Sequence, residues 1–361
     1  ASIDSGAGGA VLAVHSLVVL NDCEVVCSSA DSGGGVYASD DSTLIMTNVS
    51  LRENLADGDS DASGGGVTVT ESTLHATSCS WTNNRVVSEG ADIDRGGAVS
   101  VELTSAFTAI DCDFNENDSA EFGGAVALRG GSTLDATSCS FVRNQANFLG
   151  GAMWVTAGSS MVATNSSFEA NEASESAGAL YVSSSEAILK HGTMTSNGGS
   201  SPGFQGGAVA VTDTTTLTLF VVRFEENIND NEASSKALAC LSSSTIFAAF
   251  TSLDTTQTFK LAPSCTQFMY LTNNNGTRAF NDEVLGAVFG SGDDLGTVVR
   301  TYWTYPCPAG TFSTDGLQHG DAIPEMHGRS INSNDPTCGP GTSECQDACR
   351  ICPNGKFAEF T

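Results

Sequence analysis

Basic residues are scarce in this 361-residue chain: Lys and Arg together number 14 against 42 Asp and Glu, for a formal charge of −28. A phosphate backbone needs a basic footprint, so nucleic acid is excluded as a partner, and an anionic membrane surface is disfavoured for the same reason. No uninterrupted apolar run of about 18 residues occurs, which leaves no candidate membrane-spanning helix. There is no initiator Met and no signal peptide, and the chain reads as a processed or incompletely covered piece of a longer protein. A catalytic constellation is also missing. The four lysines, Lys190, Lys236, Lys260 and Lys356, share no outward strand column with acids, and the five histidines are scattered. The chain is read as a non-enzyme without a resident cofactor.

What is present is glycine, small polar residues and a repeat. Gly-Gly-Ala-Val or a close variant recurs, followed by an apolar residue, two variable residues and Asn. Aligned on the apolar residue after the small pair, the repeat runs Val11, Val36, Val67, Val99, Val126, Met153, Leu180, Val209 and, more weakly, Leu238. The second motif falls at Leu51/Asn54, Trp81/Asn84, Phe114/Asn117, Phe141/Asn144, Phe168/Asn171, Met194/Asn197 and Phe224/Asn227, with Leu253 and Thr256 continuing it in degraded form. A period near 27 residues with strand-type composition specifies a solenoid. Alternation such as Val126-x-Leu128 places one face inside, and a single coil cannot bury that face alone. The expected fold is all-β: a right-handed parallel β-helix of about nine coils of roughly 27 residues.

Domain limits follow from where the repeat fades. The β-helix is expected over 1–265, a degenerate coil or cap over 266–305 with Gly286-Ala287-Val288 as its last trace, and a cysteine-rich module over 306–361, incomplete at its end. Twelve cysteines point to an oxidising compartment. Cys23 with Cys27 and Cys240 with Cys265 are expected local bridges. Cys307, Cys338, Cys345, Cys349 and Cys352 are expected to staple the tail, with one left odd. Cys79, Cys112 and Cys139 occupy one inward column, where small apolar side chains are preferred over a metal or redox site.

The Asn column is read as a hydrogen-bonded ladder, which silences the sequon at Asn117. Sequons at Asn48, Asn165 and Asn275 are read as glycosylated. Outward positions after the aligned Val hold Tyr37, Thr68, Ser100, Ala127, Trp154, Tyr181 and Ala210. Trp154 and Tyr181, with Tyr37 further along, are read as exposed aromatics for a glycan or protein contact, the alternative being a loop folded over them. Asp57, Asp59 and Asp61 form a candidate calcium loop, the alternative being a solvated acidic edge.

The Gly-Gly-Ala-Val and Phe-x-x-Asn motifs, over roughly residues 5–258, resemble the repeats of chlamydial polymorphic membrane proteins, which are β-helices of the pectin-lyase-like type. That resemblance implies surface display, adhesion or self-assembly, with no catalytic residues to carry over. Cys307-Pro308-Ala309-Gly310-Thr311-Phe312-Ser313 and Cys349-Arg350-Ile351-Cys352-Pro353-Asn354-Gly355 are similar to cysteine-rich repeats of ephrin-receptor-like proteins. Together with the sequons they imply a eukaryotic extracellular protein, protist or algal. The functional expectation is a glycosylated structural protein of a filament, cell-surface hair or wall, partnered by itself or by other extracellular structural proteins. The alternatives are an adhesin or glycan-binding module and, behind it, a polysaccharide lyase or hydrolase.

Overall fold

The structure is a computed structural model. It describes residues 6–253 except 59–60, 88–93, 200–204, 230–234 and 250, then residue 257 and five further short strands. The first coil contains β1 (Val11–Val14), β2 (Leu17–Asn21), β3 (Glu24–Val26) and β4 (Ser29–Ala30). The same four strands recur in the next seven coils and pair in parallel with their equivalents, and with the strands that follow they build sheets of ten, eleven, nine and eight strands. The eight-stranded fourth sheet makes eight complete coils. Leu238–Cys240, Thr245–Ala249 and Ser252–Leu253 begin a ninth. Parallel pairing also continues into the segment read as a cap: Gln267–Asn273 and Val298–Trp303 both extend the second sheet. In the tail, Thr311–Phe312 pairs antiparallel with Arg350–Ile351. Gly286, Ala287 and Val288 lie outside the described residues.

Each coil turns at corners where one residue adopts the left-handed conformation. At the corner entering the first strand this is glycine in seven of eight coils, as at Gly123 (φ 62), and Ala177 (φ 58) in the other. A Cβ on Gly123 would collide with the carbonyl of Val126. Its neighbour Gly124 is small for a second reason: a Cβ there would strike the carbonyls of Gln145, at the end of the same coil, and of Gly151 in the next. The pair thus serves one turn and one close approach.

Inside, Trp81, Phe114, Phe141 and Phe168 stack ring on ring at 4.6, 4.7 and 4.8 Å, tilted by only 4°, 7° and 10°. That spacing is the separation of hydrogen-bonded strands, so the sheet register sets the ring register. The Asn column is a ladder. Asn117 donates its side-chain amide to Trp81 O and to Asn144 Oδ1, at 3.0 and 2.9 Å. Its own Oδ1 accepts from the backbone and side-chain nitrogens of Asn84. Every hydrogen-bonding site on the amide is used, which offsets the cost of burying it. Among the described residues the ladder reaches Gln257, which accepts from Asn227 at 2.9 Å, one residue beyond the Thr256 suggested by the spacing.

A second ladder escaped the sequence reading. Ser42, Ser72, Ser105, Ser132 and Ser159 are buried at the corner after the first strand. Each of their hydroxyls accepts the backbone N–H of the equivalent residue one coil earlier, at 3.0 to 3.2 Å, starting from Ser16 N on Ser42. The signal was available: a Ser stands five or six residues after Val36, Val67, Val99, Val126 and Met153.

Candidate functional surface

Strand alternation points one column of the first sheet outward, and the structure encloses it. Thr68, Ser100, Ala127 and Ala210 are buried, while Tyr37, Trp154 and Tyr181 are half-buried. The reading of Trp154 and Tyr181 as an exposed pair is therefore corrected. The cause lies in the residue that precedes each glycine corner. Ser63, Arg95, Phe122 and Leu149 are bridged coil to coil along the rim. The side chains of three of them reach back across the outward column. The Ser63 hydroxyl lies 3.3 Å from that of Thr68, which also donates to the Ser63 carbonyl at 2.7 Å. Phe122 lies on Trp154 at 4.8 Å and 22°. Arg95 crosses to Glu102. Trp154 and Tyr181 are register partners, whereas Tyr37 stands four coils from Trp154 and joins no common site with it.

Arg95 is the charged residue the sequence reading passed over. Its Nε donates to Glu102 Oε1 at 2.9 Å, with both side chains almost enclosed. Ser100 Oγ donates to the same oxygen at 2.8 Å. Asp61 lies 3.6 Å from the other end of the guanidinium. Beside it Asp94 is 2% exposed, and its Oδ1 has no hydrogen-bond partner. Burial, with the charge of Glu121 beside it, pushes the Asp94 carboxyl up to about 6. The available signal was a lone Arg in a rim column otherwise holding Ala, Ser, Phe, Leu and Gln.

One column further out, Glu121, Phe148 and Glu175 follow each other in successive coils. Phe148 N donates to Glu121 O and Glu175 N to Phe148 O, both at 2.9 Å. Phe148 is 38% exposed and its ring centre is 6.0 Å from that of Phe122. Phe122, Phe148 and Trp154 thus make one aromatic island. Tyr181 borders it, its hydroxyl pushed up to about 12 by burial and by the charge of Asp213.

The remaining expected sites disperse. Asp61 faces Arg95 and Asp57 accepts from Ser29 Oγ at 3.1 Å; Asp59 lies outside the described residues. Among the described residues no group of three or more His, Cys, Asp and Glu could hold a metal. Asn48 and Asn165 are exposed on equivalent left-handed corners, both with φ 53, whereas Asn117 is fully buried. Asn275 lies outside the described residues.

The Cys23–Cys27 bridge is corrected, since both thiols are free. The extended strand β3 between them spans on the order of 13 Å, about twice the reach of a disulfide. Cys27 instead donates to Glu53 at 3.4 Å. Cys240 is disulfide-bonded; Cys265, Cys307, Cys338, Cys345, Cys349 and Cys352 lie outside the described residues. Cys79, Cys112 and Cys139 are buried and free. Each thiol donates to a backbone carbonyl, Cys79 to Thr77 O at 3.3 Å, Cys112 to Ile110 O at 3.2 Å and Cys139 to Ala109 O at 3.4 Å. The neighbouring thiols together with burial push Cys79 far up and Cys112 up to about 12.

Residues 4–193 match a family model described as a right handed beta helix region. The chain belongs to the right-handed β-helix family. In this right-handed β-helix the matched span covers the coils that carry the aromatic island and the Arg95 cluster. No curated protein and no solved structure matches the chain. No helix among the described residues is long and apolar enough to cross a membrane.

Proposed function

We propose that the chain is a non-enzymatic extracellular building block that assembles end to end. The first coil carries the reading. Its inward side chains Val11, Val18, Leu20 and Cys23 are only partly buried, while their equivalents Val36, Leu44, Met46 and Val49 are enclosed. Leu17 and Val19 on the same coil are 66% and 50% exposed. Among the described residues β1 to β4 form the outer edge of their sheets, and that edge, with the half-buried apolar side chains beside it, fits another coil in register. A contact of that kind does not close on itself and grows into a fibre.

The extracellular placement rests on the disulfide at Cys240 and on the exposed sequons at Asn48 and Asn165, which we assign glycans. The likeness to polymorphic membrane protein repeats and to ephrin-receptor-like cysteine modules supports surface display in a wall, hair or sheath.

Sedimentation and electron microscopy of the purified full chain test the assembly. End-to-end oligomers should grow with concentration, and Val18→Lys, with circular dichroism to check its fold, should leave single rods. Single rods of the unaltered protein at every concentration would refute the proposal.

A further inference from the structure

A second surface, independent of the open coil, combines rings with carboxylates. Phe122 and Trp154 are stacked, Phe148 leans beside them, and Leu149 fills the rim between. Phe148 has Glu121 one coil before it and Glu175 one coil after. Adjacent coils are about 4.8 Å apart, so an acidic residue stands one coil before and one coil after the exposed ring, and the Glu121 carboxylate also accepts from Asp94 N at 3.1 Å. The basic residue of the neighbouring coil, Arg95, is already held by Glu102 and Asp61. The chain as a whole carries a charge of −28.

From this arrangement we infer that the island on coils five to seven is a docking site for an arginine-bearing segment of a protein partner. A guanidinium is planar, stacks on aromatic faces and bonds carboxylates in a fork. The island offers both halves of that recognition side by side. A neutral sugar could stack on the rings but would leave the negative charge of Glu121 and Glu175 uncompensated, and an acidic sugar would be repelled by them. A lysine ammonium would meet the carboxylates as a point charge and forgo the stacking. Tyr181, beside Trp154 in the next coil, extends the rim in the direction a peptide would run.

The test uses the full chain and a short synthetic arginine–glycine peptide, with its citrulline counterpart as the uncharged twin. Calorimetry and tryptophan fluorescence follow binding. The arginine peptide should bind about tenfold more tightly than the citrulline peptide, because charge-assisted bonds are lost with the guanidinium. The double variant Glu121→Gln/Glu175→Gln should weaken it by about fivefold or more, and Phe148→Ser, at an exposed position, should do the same. Removing two charges elsewhere, with Asp113→Asn/Glu169→Gln on the third sheet, should change it by less than about twofold if the site is local. Equal binding of the two peptides, or equal loss from the distant variant, would overturn the site. So would a neutral oligosaccharide that binds through Trp154 while the arginine peptide does not.

Discussion

Asn144 Oδ1 accepts two hydrogen bonds from Asn117, one from its backbone N–H at 3.1 Å and one from its side chain at 2.9 Å. Asn144 in turn donates to Phe114 O and Asn171 Oδ1. Truncating this residue strands groups in the coils on both sides of it. Asn144→Ala should destabilise the protein by about 3–5 kcal/mol, since each buried unpaired group costs roughly 1–3 kcal/mol. Urea denaturation of the two proteins measures it. A loss below about 1 kcal/mol would mean the ladder is not cooperative in this sense.

Asp94 gives a pH dependence of defined sign. Its folded-state carboxyl titrates at about 6, above the ordinary carboxylate range. The folded protein therefore holds that proton more tightly than the unfolded chain. Its contribution to stability is fully present below about pH 4 and is lost as pH rises through about 6. Asp94→Asn should accordingly raise the melting temperature at pH 7.5 relative to the native protein, by the equivalent of about 1–2 kcal/mol, and leave it little changed at pH 4. Melting curves of both proteins across that range check the crossover.

Ala177 occupies the left-handed corner that glycine fills in the other seven complete coils. Its Cβ is a source of strain of about 1 kcal/mol. Ala177→Gly should relieve it and stabilise the protein by about 0.5–1 kcal/mol, despite the extra freedom glycine gives the unfolded chain. The same denaturation assay applies, and a destabilised variant would count against a strained corner.

Columns of strand residues were legible in the sequence because alternation and a fixed step leave only one face for Val126, Phe141 and Asn144. The corners were not. Nothing in a period of two says which way Phe122 or Arg95 turns, and those two side chains decide how far Trp154 and Ser100 are covered. The serine ladder was missed for a different reason. Its step from the aligned residue is six except at Ser72, where it is five, so Ser72 falls out of a strict alignment although the structure stacks it. Cys23 and Cys27 looked adjacent in number, but an intervening strand holds their thiols apart. The Phe148 island was the hardest to see, because it joins a corner residue, a rim residue and a strand residue from different coils.

The amide ladder has a direction. Asn54, Asn84, Asn117, Asn144, Asn171 and Asn197 each pass a side-chain proton forward to the oxygen of the next coil, and Asn227 passes one to Gln257. Seven small dipoles therefore point the same way down the rod and reinforce one another. The two directions along the described ladder are electrically inequivalent. Copies joined end to end would keep that vector only by facing the same way, so the resulting fibre would itself be polar, with a distinguishable front and back.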